Sequence, residues 1–207
     1  GGINYYPKQY TLFEKYFPDY SNTSISGNAV REICEDKFGN LWIGTEDAGL
    51  NKLNKSTGLF TQYKPTGNRT GISYPNIHGL LARNDQLWVG TFEHGLNIMD
   101  IRSGKVIKQY PESNNPGVLK SNFIVTLLQT KKGVTYAGTR LGIYMYDEET
   151  NSFRNSTAVP ENSFIHSLLE DNASVLWIGT TGNGLFYYNA KTDKTGNFIH
   201  DAKKKKS

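Results

Sequence analysis

The stretch CEDKFGNLWIGTEDAGLNKLN, residues 34–54, decides the fold of this chain. Its central string LWIGT returns as LWVGT at 87–91, TYAGT at 135–139 and LWIGT at 176–180. The starts of the four strings are 46, 48 and 41 residues apart. Self-similarity at such a period indicates an architecture built from stacked copies of one structural unit.

The flanks of each string repeat as well. An apolar run precedes every string, at 30–34, 77–81, 124–128 and 165–169. A Gly-apolar pair follows each one: Gly49-Leu50, Gly95-Leu96, Gly142-Ile143 and Gly184-Leu185. Short polar turn residues and a final aromatic or β-branched stretch complete the unit. Each unit therefore contains four antiparallel strands, A to D, which is one blade of a β-propeller.

We predict an all-β chain that forms part of a β-propeller, with about four four-stranded antiparallel blades plus a half blade. The predicted ranges are 1–24 for a half blade with strands C and D only, 25–70, 71–117, 118–160 and 161–202 for the four blades, and 203–207 for a disordered lysine tail. The aromatic residues of the four strings should pack between neighbouring blades: Trp42, Trp88, Tyr136 and Trp177.

The charge of the chain excludes one class of partner. The net charge is +4, but four lysines at 203–206 carry it, and the remainder has 19 basic and 19 acidic residues. A nucleic-acid groove needs basic residues spread over a folded face, so we expect no nucleic-acid binding. No apolar run approaches the roughly 20 residues that cross a bilayer. Cys34 is the only cysteine, so the chain has no intrachain disulfide.

Two copies carry a more specific pattern. Residues 34–54 and the string LEDNASVLWIGTTGNGLFYYN at 169–189 resemble the two-component regulator propeller repeat, with its Glu-Asp pair, Leu-Trp-Ile-Gly-Thr string and Gly-Leu pair. The fourth copy has Ser174 where glycine is usual. The second and third copies have Ala82-Arg83 and Gln129-Thr130 in place of Glu-Asp.

This resemblance implies a sensor portion of a two-component histidine kinase that lies in the periplasm. It implies an oligosaccharide ligand and control of carbohydrate-use genes. Partners would then be the rest of the parent propeller and a homodimer formed through the parent protein, with the membrane reached only through a downstream helix. The alternative is a structural or protein-interaction propeller without a small-molecule ligand.

Motifs for catalysis are missing from the sequence. It contains no phosphate-binding loop, nucleophile elbow or zinc-protease helix, so we predict no catalytic residues, no metal site and no cofactor. We interpret the acids of Glu35-Asp36 and Glu170-Asp171 as turn-capping residues. His78 and His166 share one column of strand A with Arg31 and Val125, and that column could converge near the propeller axis.

We expect the ligand surface on the face that bears the B–C loops and the D–A linkers. Aromatic and planar polar side chains in these loops suit stacking and hydrogen bonding to carbohydrate. The candidate residues are Glu46, Asp47, Phe92, Glu93, His94, Arg140 and Asn183. At the start of strand A, Asn28, Asn76, Asn122 and Ser163 form a polar row that suits sugar hydroxyls or turn chemistry.

Overall fold

The computed structural model describes residues 13–115 and 117–200. All elements assigned in this part of the chain are strands, so the all-β prediction is confirmed. They form four separate four-stranded antiparallel sheets, and in each sheet the strands follow chain order. Among these residues no helix has the length and apolarity that spanning a bilayer requires.

Each sheet is one blade, with strands A to D in sequence. Blade 1 contains β1 (Val30–Glu35), β2 (Leu41–Thr45), β3 (Leu50–Asn54) and β4 (Leu59–Tyr63). Blade 2 contains β5 (Ile77–Arg83), β6 (Gln86–Thr91), β7 (Leu96–Asp100) and β8 (Lys105–Tyr110). Blade 3 contains β9 (Ile124–Gln129), β10 (Thr135–Thr139), β11 (Gly142–Asp147) and β12 (Ser152–Asn155). Blade 4 contains β13 (Phe164–Glu170), β14 (Val175–Thr181), β15 (Leu185–Asn189) and β16 (Lys194–Phe198).

The hydrophobic core lies between the blades. Trp42 of blade 1 is fully buried in a cluster with Ile77, Leu80 and Val89 of blade 2. Trp88 and Tyr136 occupy the same position in the next two junctions, in clusters that reach blades 3 and 4. Packing of these three aromatic residues between neighbouring blades is therefore confirmed. Trp177 is only partly buried, because blade 4 has no following blade in this chain.

The A–B turn of blade 1 depends on Asp36, which is 4% exposed. Its Oδ1 accepts the backbone N–H groups of Phe38 at 2.9 Å and Asn40 at 3.0 Å, and its Oδ2 accepts the Trp42 indole N–H at 2.8 Å. Burial opposes ionisation of Asp36, but these hydrogen bonds outweigh it and hold the pKa of its carboxyl below the usual value. The predicted capping role of Asp36 is confirmed.

Blade 4 repeats this arrangement, and blade 3 keeps part of it. Asp171 accepts the backbone N–H of Val175 at 2.9 Å and the indole N–H of Trp177 at 2.9 Å. In blade 3 the hydroxyl of Thr130 accepts the equivalent backbone N–H, that of Val134, at 3.1 Å. The glutamates of the predicted Glu-Asp caps act differently: Glu35 pairs with Lys55, and Glu170 accepts the backbone N–H of Lys131.

The segment before β1 differs from the prediction. A half blade with strands was expected over 1–24, but residues 13–24 form no strand, and residues 1–12 lie outside the described residues. Residues 18–29 instead lie where the D–A linkers lie in later blades. Phe60 N–H donates to the Thr23 carbonyl at 3.0 Å, as Val106 N–H does to the Thr70 carbonyl at 2.8 Å. The lysine tail at 203–207 also lies outside the described residues.

Each linker contributes one buried apolar residue. These residues are Ile25, Ile72, Leu119 and Val159, all between 0% and 6% exposed. They lie 15 to 17 residues before the LWIGT-like string of their own blade. This column belongs to the repeat, although the strings alone do not reveal it.

Candidate functional site

Strand A of every blade contains a β-bulge at the same place. In blade 1, Val30 is paired with Thr45 and Glu32 with Gly44, so Arg31 is the extra residue. The extra residues in the other blades are His78, Val125 and His166. These four residues are the column that the sequence aligned. A bulge turns a side chain out of the regular pleat, and bulges are common beside functional sites.

The threonine that ends each LWIGT-like string closes the B–C loop. Thr45 Oγ1 donates to the Gly49 carbonyl at 2.8 Å and accepts the Ala48 N–H at 3.1 Å. Gly49 has a positive φ of 88°, and a Cβ there would collide with the Tyr63 carbonyl, so glycine is required. The residues between the threonine and the glycine are therefore held on the surface of the loop face.

Hydrogen bonds also connect the B–C loops of blades 1 and 2 to the next blade. Gly49 N–H donates to the Pro75 carbonyl at 2.9 Å, and Gly95 N–H donates to the Asn122 carbonyl at 2.8 Å. These two loops are thus bonded to the linker that precedes the following blade. A cavity between two blades on this face consequently has walls that are fixed to each other.

One such cavity, the loop-face pocket, lies between blades 2 and 3 and has a volume of about 640 Å³. It is lined by Phe92, Glu93, His94, Glu112, Ser121, Asn122, Phe123, Arg140 and Leu141. The volume falls within the range of about 300–1,000 Å³ that small-molecule sites occupy. Four residues that the sequence nominated come together here: Phe92, Glu93, His94 and Arg140.

Aromatic side chains form the inner wall of the pocket. The ring centroids of Phe92 and Phe123 are 4.7 Å apart at an interplanar angle of 67°. His78, the bulge residue of blade 2, lies 4.7 Å from Phe123 and 5.9 Å from Phe92. Burial and the positive charge of Arg31 lower the pKa of His78 below its usual value, while Glu46 opposes them.

The acidic side chains of the pocket have hydrogen-bond partners, whereas its arginine has no ion pair with the described residues. Tyr74 stacks on His94 at 4.7 Å and 15°, and its hydroxyl donates to Glu93 Oε2 at 3.0 Å. Glu112 also has a hydrogen-bond partner, because its Oε2 accepts the backbone N–H of Asn122 at 3.2 Å. The guanidinium of Arg140, in contrast, has no ion pair with the residues that the structure describes. Glu93 and Glu112 therefore already accept hydrogen bonds, while the cation of Arg140 lines the same pocket as the two phenylalanine rings.

Three nominated residues lie elsewhere. Glu46 forms an ion pair with Arg31 at 2.8 Å. Asp47 lines a separate cavity of about 430 Å³ against the segment 17–28. Asn183 Nδ2 donates to Ser163 Oγ at 3.2 Å. The structure does not bring these three side chains into the loop-face pocket.

The residues of the polar row at the start of strand A have different roles. Asn122 lines the pocket and fixes the preceding linker, since its Oδ1 accepts the Glu112 N–H at 2.8 Å. Ser163 closes a turn by donating to the Pro160 carbonyl at 2.8 Å. The buried Oδ1 of Asn76 has no hydrogen-bond partner among the described residues. Turn chemistry thus accounts for Asn122 and Ser163.

Sequence reasoning missed four pocket residues: Glu112, Ser121, Phe123 and Leu141. One signal was available: phenylalanine directly precedes the first apolar residue of strand A in two copies, at Phe123 and Phe164. The two rings lie 5.8 Å apart and extend the aromatic wall along the inner edge of the blades. For metals, no group of three or more ligating side chains occurs in the described part of the chain.

Four four-stranded blades with loops gathered on one face define this chain as a segment of a β-propeller. Residues 24–47 and 159–182 match the family model described as two component regulator propeller, so the chain carries repeats of that family. The two matches cover the A–B turns with the Asp–Trp hydrogen bond, in blades 1 and 4. No curated protein matches the sequence.

Solved structures with the same fold include extracellular domains of hybrid two component systems from B. thetaiotaomicron. The BT3049 domain is 26% identical with a TM-score of 0.72, and the match covers 87% of this chain and 25% of that one. For the BT4673 domain the identity is 22%, the TM-score 0.71, and the coverage 90% and 26%. The chain spans about a quarter of the length of these domains.

A third solved structure shows the fold alone. PorZ, a surface component of the type-IX secretion system of Porphyromonas gingivalis, is 15% identical with a TM-score of 0.65. The match covers 89% of this chain and 29% of PorZ. The same arrangement of blades therefore occurs outside two component systems.

Proposed function

We propose that this chain is part of the extracytoplasmic sensor domain of a two-component histidine kinase, and that its loop-face pocket binds an oligosaccharide. The repeats in blades 1 and 4 and the 26% identical extracellular domain support the first half of the proposal. The periplasm is the compartment that fits such a domain. The output of the parent protein would be control of carbohydrate-use genes.

One observation carries the oligosaccharide proposal: the pair Phe92 and Phe123 stands beside Arg140 and His94 in a single pocket. The faces of aromatic rings suit the C–H surface of a sugar ring, and planar polar groups suit its hydroxyls. The hydrogen bond from Tyr74 and the stacking of His94 hold the polar wall in place before a ligand arrives. Such preorganisation lowers the entropic cost of binding.

The direct test is titration calorimetry of the purified chain against a panel of oligosaccharides released from plant, host and microbial polysaccharides. We expect at least one of them to bind, and we expect Phe92→Ala and Arg140→Ala to weaken that binding by about tenfold or more each. The matched control is Phe38→Ala. Phe38 is 46% exposed and Phe92 is 37% exposed, but Phe38 lies at an A–B turn, away from the pocket.

Two results would contradict the proposal. Equal loss of affinity in Phe38→Ala and Phe92→Ala would mean that the oligosaccharide does not bind in the loop-face pocket. A panel that gives no heat with any member would favour the alternative, a propeller that acts as scaffold or protein-interaction module.

A further inference from the structure

Each blade places two residues side by side at the inner end of the loop face. The first directly precedes the valine or isoleucine that begins the apolar run of strand A, and the second directly follows the threonine of the LWIGT-like string. In blades 1 to 3 the backbone N–H of the second residue donates to the carbonyl of the first, and in blade 4 the two are paired in the ladder. We call these residues the inner rim. From blade 1 to blade 4 the pairs are Ala29 with Glu46, Asn76 with Phe92, Phe123 with Arg140, and Phe164 with Thr181.

The loop-face pocket occupies one junction of this rim. Its aromatic wall consists of Phe92 of blade 2 and Phe123 of blade 3, with ring centroids 4.7 Å apart. The residues at the same two repeat positions of the next junction, between blades 3 and 4, are Arg140 and Phe164. Arg140 also lines the pocket, and Phe164 lies 5.8 Å from Phe123. The pocket therefore adjoins a second junction that carries an aromatic ring and a planar cation.

The rings of Phe123 and Phe164 are both partly exposed, although the isoleucine after each of them is buried. Ile124 and Ile165 are 0% exposed. The phenylalanines thus lie at the surface of the rim and not in the core between the blades. Because their junction lies between two described blades, both neighbours that could cover the rings there are in place. Exposed aromatic surface of this kind is available to a ligand.

Toward blade 1 the rim has a different character. Ala29 and Asn76 occupy the positions that hold phenylalanine in blades 3 and 4. Glu46, the second rim residue of blade 1, forms an ion pair with Arg31 at 2.8 Å. Among the described residues, the aromatic wall therefore extends from the pocket in one direction, toward blade 4.

We propose that the loop-face pocket is one subsite of a longer site, and that the chain of the ligand passes over Phe123 and places its next sugar ring on Phe164. The substrate class is then a linear oligosaccharide longer than a disaccharide. The 5.8 Å between the two phenylalanine rings is close to the length of one sugar residue along such a chain. Aromatic rings offer apolar surface to the C–H groups of each sugar. Arg140 borders both subsites, and its several N–H groups donate to hydroxyl groups of the ligand.

This inference rests on the proposed function, because it extends the same site, but the two are tested by different residues. Phe92 lies in the pocket, so its removal reports on every oligosaccharide that binds there. Phe164 does not line the pocket, so its removal reports on the part of a ligand that extends beyond the pocket. The extension therefore depends on the difference in affinity between short and long ligands.

The experiment is titration calorimetry of the purified chain with a size ladder, from disaccharide to hexasaccharide, of the oligosaccharide that binds most tightly in the panel. We expect the Kd to fall as the chain lengthens. Phe164→Ala should leave the Kd of the disaccharide unchanged and raise that of the hexasaccharide by about threefold to tenfold, the size of one aromatic contact. Phe92→Ala should weaken the binding of both.

Two further variants at the same position separate the ring from the fold. Phe164→Tyr keeps a flat ring and should keep the gain in affinity with length. Phe164→Leu keeps an apolar side chain without a flat face, so it should lose the gain, and it repeats the test if Phe164→Ala does not fold. Phe38→Ala is the control for a partly exposed phenylalanine away from the rim, and it should change no Kd.

Three results would overturn the extension and leave the pocket in place. They are a gain with length that survives in Phe164→Ala and Phe164→Leu, an equal loss for disaccharide and hexasaccharide in these variants, and no gain with length in the unmodified chain. The second result would mean that Phe164 acts by supporting Phe123. A panel in which no oligosaccharide binds would instead overturn the proposed function, and the extension with it.

Discussion

In blade 1 the indole N–H of Trp42 donates to Asp36 Oδ2 at 2.8 Å, whereas in blade 2 the indole of Trp88 lies beside the guanidinium of Arg83, 5.1 Å from the ring centroid. Trp42 and Trp88 are 0% and 1% exposed. The Trp88 N–H donates to Gln86 at 3.2 Å instead. The two blades thus bury the same residue to the same extent by different chemistry.

The family model matches the two copies that have the Asp–Trp hydrogen bond. Its matches, 24–47 and 159–182, contain the two Asp–Trp hydrogen bonds, and blades 2 and 3 lie outside them. All four blades nevertheless have the same strand order and the same bulge. The Asp and Trp of the motif therefore indicate one way of closing the A–B turn. The blade itself depends on the LWIGT-like strand and on the packing between sheets.

The largest expected effect separates the two blades directly. Asp36→Ala should lower the free energy of unfolding by about 2–4 kcal/mol, because it leaves the Trp42 indole N–H and two backbone N–H groups without their acceptor. Chemical denaturation followed by tryptophan fluorescence measures this. The neighbouring Glu35→Ala is the control, with about 1 kcal/mol or less, since the ion pair of Glu35 with Lys55 is exposed. Equal losses in both variants would refute the capping role of Asp36.

A smaller loss is expected in blade 2. Arg83→Ala should cost about 1–2 kcal/mol, because it removes a cation–π contact with Trp88 and an ion pair with Glu148. It also removes a buried Nε that has no hydrogen-bond partner among the described residues, which reduces the loss. Denaturation under the same conditions gives the comparison. Glu148→Ala, which keeps the stacking, should cost less than Arg83→Ala. A loss in Arg83→Ala that matches Asp36→Ala would mean that the two turns are energetically equivalent.

The smallest expected effect is a dependence on pH in blade 1. The folded pKa of Asp36 is lowered, so its contribution to stability is present above the unfolded value of about 4 and is lost as the pH falls through the folded value. The stability difference between the unmodified chain and Asp36→Asn should therefore shrink below about pH 4. Denaturation curves at pH 7, 5 and 3 measure it. A constant difference over this range would contradict a lowered pKa.

The strands were predictable because the signal is local. The apolar run at 77–81 and the string at 87–91 lie within β5 and β6, since short strands with flanking turn residues are encoded by neighbouring positions. The strands expected in the half blade failed in the described residues 13–24. The end of this segment instead pairs with blade 1 as a linker does, since Phe60 N–H donates to the Thr23 carbonyl.

The site was less predictable than the strands. The sequence treats the B–C loops as equivalent, so Asp47 and Phe92 were nominated for the same reason. The pocket forms where the loop of blade 2 meets the linker that contains Phe123. Whether two loops from different blades meet depends on the stacking of whole sheets, which no local pattern contains.

The extra residue in every strand A has a consequence for how such a scaffold can diversify. Because Ile77 and Gly79 keep their partners on either side of His78, a substitution at residue 78 changes no hydrogen bond of the ladder. The same holds at Arg31, Val125 and His166. A relative built on this frame could exchange charge, aromaticity or size at four inner positions without altering its register. The bulges thereby separate the chemistry displayed by the inner edge from the stability of the blades that carry it.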